Sequence, residues 1–106
     1  MERIEFSSIL RESILDGLRH VLGESSLKAV LFHIGPVQLE DPREFHTKLC
    51  SIFGMGAEVL EKMIVKELFR RVNVPYEECR EFDFENYVDQ AREAFQKTGG
   101  GRAKLK

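Results

Sequence analysis

Apolar positions recur at spacings of three and four through most of the chain, and no segment sustains the alternation of a half-buried strand. The first helix is predicted over residues 6–22: Phe6, Ile9, Leu10, Ile14, Leu18, Val21 and Leu22 share a broad face, and Arg11, Glu12, Asp16 and Arg19 oppose it. Gly23 is a natural stop. Ser25 or Ser26 is expected to cap a short second helix that runs to about residue 33 and ends at Gly35-Pro36. This segment is nearly all apolar and is expected at the centre of the core. The third helix has the clearest start signal, with Asp41 at the N-cap, Pro42 at the first helical position and Glu44 three residues after the cap. Phe45, Leu49, Ile52 and Phe53 form its stripe, and Gly54 ends it. A fourth helix is predicted over residues 56–72 on Ala57, Leu60, Ile64 and Leu68, widened by Val59, Met63 and Val65, with Pro75 as the stop. The last helix, over residues 83–97, places Phe84, Tyr87, Val88, Ala91 and Phe95 on one side and acids on the other, with Asp83 as cap. The expectation is an all-α fold, a compact bundle of about five helices without a β-sheet. Residues 1–98 make its single helical domain and residues 99–106 a mobile basic tail.

Composition fits this picture. The chain has 106 residues, 42% hydrophobic and 32% charged, with a formal net charge of −2, the profile of a globular chain rather than a disordered one. No apolar run approaches the roughly 18 residues of a membrane span, and the N-terminus lacks a signal-peptide block. Two cysteines, Cys50 and Cys79, are too few for a disulfide framework, so a reduced, cytoplasmic setting is the expectation. Charge is unevenly placed: residues 1–76 carry −1, residues 77–93 carry −5 and the last ten residues carry +4.

Several constellations carry candidate chemistry. The turn Gly54-Met55-Gly56 opens a helix, where backbone N–H groups could hold a phosphate. Known phosphate loops follow a β-strand, however, and here a helix precedes the turn and Glu58 sits at the anion position. A joint between helices is expected, with Gly54 left-handed and Gly56 permitting close approach of the helix ends. His46 and Cys50 lie four residues apart on one helix and can share a metal ion, with Cys79 or His33 as a further ligand. The paired spacings of an established metal motif are missing, so no metal or cofactor is assigned. A Cys50–His46 nucleophile would need a third orienting group and an oxyanion site, and no catalytic residue is assigned. Arg70 and Arg71 close the fourth helix, where cations suit the dipole; with the basic tail they form a candidate phosphate-binding patch. The acidic last helix argues against a broad nucleic-acid footprint. Phe84, Tyr87, Val88 and Phe95 serve either the domain's own core or an interface with another chain.

The segment over residues 41–71 carries Phe45-His46, Phe53-Gly54, Gly56-Ala57 and Leu60-Glu61-Lys62 in order, preceded by "LGESSLKAVLFHIG" over residues 22–35. Across this half of the chain the sequence resembles the Nitrosopumilus output domain, a small archaeal family. The resemblance implies an all-helical domain, alone or attached to sensory modules, with no established catalytic activity and no functional residues to carry over. The expectation for function is therefore a non-enzymatic binding or regulatory module, signal-output-like, acting on a protein partner or by self-association. Its interface is placed on Phe84, Tyr87, Val88 and Phe95, and secondarily on the joint at Gly54–Gly56. The alternatives are a nucleic-acid or anion binder through Arg70 and Arg71, and a metal-dependent protein through His46 and Cys50.

Overall fold

The computed structural model describes residues 5–35, 37–78 and 81–97, the side chains of residues 37 and 38 excepted. The described residues are all-helical, with no strand among them: α1 (Phe6–Ile34), α2 (Pro42–Phe53), α3 (Ala57–Arg71) and α4 (Phe84–Lys97), plus 3₁₀ turns at Val37–Glu40 and Gly54–Gly56. The expected count of about five is corrected. The first two expected helices follow one another directly and are counted together as α1, but Gly23 between them is non-helical, at φ 86° and ψ 169°, so the chain kinks there as its stop signal predicts. Helix resumes immediately after Gly23, so Ser25 and Ser26 lie inside α1 rather than capping a new helix.

Both side-chain caps foreseen on acidic residues are made. One carboxylate oxygen of Asp41 accepts from the backbone N–H groups of Arg43 and Glu44 at 3.1 and 3.3 Å, and Asp83 accepts from that of Asn86 at 3.2 Å. The end of α3 is a Schellman closure. Asn73, at φ 62°, follows the last turn, its N–H donates to the carbonyl of Arg70, and that of Val74 donates to the carbonyl of Phe69. The chain turns there before it reaches Pro75.

The core is the shared face of α1 and α3, closed from one side by α2 and α4. Ile14, Leu18, Phe45, Leu49, Ile64, Val65, Leu68 and Val88 are all fully buried. Gly17 makes the α1–α3 contact close: a Cβ there would lie 2.8 Å from Ile64 Cγ1 and 3.0 Å from its Cα. The loop before α4 is held by aromatic packing, Tyr87 ring to ring with Phe69, Tyr76 and Phe82, and the Tyr87 hydroxyl donates to the Glu77 carbonyl at 3.2 Å.

Four apolar positions leave the places the periodicity assigns them. Phe32 is 88% exposed although its segment was expected at the centre of the core; only Leu27, Val30 and Ile34 of that segment are buried. Val21, Ile52 and Val59 are exposed at the margins of their stripes. No described helix is long and apolar enough to cross a membrane.

Candidate metal centre

Helix α2 is anchored through Phe45 and Leu49, both fully buried. His46 and Cys50 each follow one of these anchors by a single residue, so they lie along the flank of the buried stripe, one turn apart. The turn at Gly54 then reverses the chain. Gly54 adopts φ 59° and ψ −131°, a conformation open to glycine and strained for other residues. This reversal carries α3 back along α2 and brings its second turn opposite His46.

The residue that arrives there is Glu61. It lies on the core side of α3, 1% exposed, among Ala57, Leu60, Ile64 and Val65. Its Oε2 is 2.6 Å from His46 Nδ1. Cys50 Sγ is 3.6 Å from Nε2 of the same ring and 3.8 Å from Nδ1. The donor atoms of His46, Cys50 and Glu61 all fall within 4.8 Å of one another. Of the ligands expected from the sequence, His46 and Cys50 are thus brought together, His33 is not part of the group, and Cys79 lies outside the described residues. Glu61 was not foreseen. Its signal is a carboxylate at a position that the three-and-four spacing from Ala57 to Leu68 marks as buried.

Electrostatics assign a role to each group. Burial pushes the Glu61 carboxyl upward; the hydrogen bond and charge of His46 pull it back down, while Glu58 and Asp83 push it up. A buried carboxylate is retained only with a donor at hand, and His46 Nδ1, when it carries the proton, is that donor. In the neutral tautomer with Nδ1–H directed at Glu61, Nε2 is the lone-pair nitrogen. Burial and then the Glu61 charge push the Cys50 thiol up. A thiol raised in this way is a poor nucleophile at neutral pH, and what ionises it most effectively is a bound cation.

The donors are close enough to share a cation, though not yet posed for one. At a tetrahedral centre with Zn–S near 2.3 Å and Zn–N near 2.0–2.1 Å, the sulfur–nitrogen edge is about 3.6 Å; Cys50 Sγ is 3.6 Å from His46 Nε2 but also 3.8 Å from Nδ1, beside the ring rather than along the Nε2 lone pair, so the side chains must turn for both to hold one ion. The Glu61 contact is too short for two ligands of one metal, but it is the length of a hydrogen bond from a metal-binding imidazole to the carboxylate that orients it. The side chain of His46 is 47% exposed. It also borders a cleft of about 440 Å3 lined by Glu81, Asp83 and Glu85, whose charges favour a cation over an anion.

The other candidates have different surroundings. Phe84, Tyr87, Val88 and Phe95 are buried in the chain's own core, at 6% exposure or less, so the interface placed on them from sequence is corrected: they present no surface to another chain. Arg71 pairs with Asp16, Glu67 and Glu12, and Arg70 pairs with Glu67. Both cations face carboxylates of their own chain. At the Gly54–Gly56 joint, Gly56 is helical, and a Cβ there would meet only Phe53 Cβ at 3.9 Å. The close approach expected of Gly56 belongs to Gly17 instead. Met55, between the two glycines, is 95% exposed.

No family model, no curated protein and no solved structure matches the chain.

Proposed function

We propose that this chain is a small helical binding module whose working chemistry is capture of a thiophilic divalent cation, zinc in class, by Cys50 and His46. One observation carries the reading: the donor atoms of His46, Cys50 and the buried Glu61 lie within 4.8 Å of one another. Soft sulfur with imidazole selects zinc-class ions over magnesium or calcium, which prefer all-oxygen sites. Cys50 supplies a thiolate once its proton leaves to solvent, His46 supplies Nε2, and Glu61 holds the ring in the right tautomer.

The test is titration of the full chain with zinc against a chromophoric chelator, repeated for Cys50→Ser. The reading expects stoichiometric binding that Cys50→Ser weakens at least tenfold. Binding that is absent, or equal in the variant, overturns it.

A second reading, contact with another protein, rests on the joint between α2 and α3. Ile52, Met55 and Val59 lie within eight residues there and are three of the five exposed large apolar side chains described. The resemblance to the Nitrosopumilus output domain supports the same view. Ile52→Glu and Met55→Glu, compared with wild type by sedimentation and by cross-linking in cell extract, test it; unchanged association in both variants rejects it.

A further inference from the structure

Cys50 and His46 are the two accessible donors of the cluster. The third member, Glu61, is buried with its nearest oxygen against Nδ1, and among the described residues no other donor joins the group. Thiophilic structural sites are closed by four protein ligands. We infer that a second copy of this chain supplies the other two, so that one cation on a two-fold axis is held by two Cys50 thiolates and two His46 imidazoles. The inference rests on the cation-binding reading above and specifies its partner.

Three observations favour a second copy. His46 is 47% exposed at its side chain and Cys50 is half-buried, so both donors are within reach of another molecule. Two residues beyond Cys50 the exposed apolar group begins, with Ile52 38%, Met55 95% and Val59 61% exposed. An isologous contact centred on the metal would bring two such groups to the same interface. Three side chains cannot supply the roughly 800 Å2 per partner of a stable interface on their own. Association is therefore metal-dependent, with the coordination bonds providing what the apolar contact lacks. Charge closes as well: Zn2+ with two Cys50 thiols forms two Zn–S bonds and releases two protons to the buffer, and the two imidazoles bind as neutral ligands, so the centre carries no net charge.

The experiment is sedimentation equilibrium of the full chain with and without zinc, alongside a zinc titration in weak buffer that records protons released. The expected result is a monomer without zinc and a dimer with it, half an equivalent of zinc per chain, and two protons released per zinc. Cobalt(II) in place of zinc should give the charge-transfer and ligand-field bands of a four-coordinate centre with two sulfurs. Cys50→Ser should remain monomeric with unchanged helical circular dichroism. Met55→Glu, which keeps all ligands, should weaken zinc-induced dimerisation at least tenfold. One equivalent of zinc on a monomer overturns the inference and leaves the cation-binding reading standing. So does a monomeric complex lost in Cys79→Ser, which would place the completing ligand in the same chain. No stoichiometric zinc at all overturns both.

Discussion

Glu61 Oε2 and His46 Nδ1, 2.6 Å apart, form a polar link between α2 and α3 whose carboxylate end is buried and whose imidazole end is half-exposed. Removing the imidazole leaves the carboxylate without that donor, which costs about 1–3 kcal/mol. His46→Ala is expected to lose stability of that order in urea unfolding at neutral pH. The pH dependence has a definite sign. The Glu61 pKa is raised in the fold, mainly by burial, so its unfavourable contribution is absent below the unfolded carboxyl pKa and grows as pH rises through the folded value. His46 limits that rise. The stability difference between His46→Ala and wild type should therefore shrink in mild acid and widen toward neutral pH. A difference that grows on acidification contradicts this assignment.

Gly17 and Gly56 should respond oppositely to the same change. Alanine improves helix propensity by about 1 kcal/mol over glycine, but at Gly17 the new Cβ meets the Ile64 backbone at 3.0 Å. Overpacking of this kind costs about 1–3 kcal/mol, so Gly17→Ala should lower the urea midpoint. Gly56 has φ −70° and open space around it; Gly56→Ala should raise stability by about 0.4–1 kcal/mol. Gly54→Ala, at φ 59°, should destabilise although nothing obstructs it sterically.

Arg71 reaches Asp16 and Glu12 on α1 and Glu67 on its own helix. Loss of this partly exposed network in Arg71→Ala should cost about 1 kcal/mol, less at high salt. The Glu67 carboxyl is held below its usual range, first by the hydrogen bond from Arg70 and also by that from Arg71, against the opposing effect of burial. Its stabilisation is present above the ordinary carboxyl pKa and is lost as pH falls through the lowered folded value. Glu67→Gln should accordingly show a shallower loss of stability on acidification than wild type, followed by circular dichroism.

Phe84 packs on Phe45 with ring centroids 5.6 Å apart, both nearly inaccessible. Phe84→Ala should cost about 3–5 kcal/mol, as deletion of a core aromatic does. It should alter the oligomeric state only through unfolding. A stable Phe84→Ala chain with altered association would restore α4 as an interface.

Much of the fold was legible because local chemistry decides it. The Asp41-Pro42 start, the Asp83 cap and the Gly54 stop each depend on neighbouring residues, and the structure places them where the sequence does. What was not legible depends on which elements meet. Gly23 reads as a terminator and does break helical geometry, but the next helix starts at once, so the two segments form one kinked helix. Gly17 carries no local signal, and only the approach of Ile64 explains it. Phe84, Tyr87, Val88 and Phe95 form a clear stripe, but periodicity alone does not say which chain the stripe faces. The candidate site divides in the same way. His46 and Cys50 are adjacent by helical spacing, whereas Glu61 arrives only through the reversal at Gly54.

The most direct measurement is the zinc affinity of the full chain by chelator competition, wild type beside Cys50→Ser. The account predicts saturable binding with a fixed stoichiometry in wild type and a loss of at least tenfold in the variant. Wild-type protein that leaves all the zinc on the chelator, or a variant that binds as tightly as wild type, contradicts it.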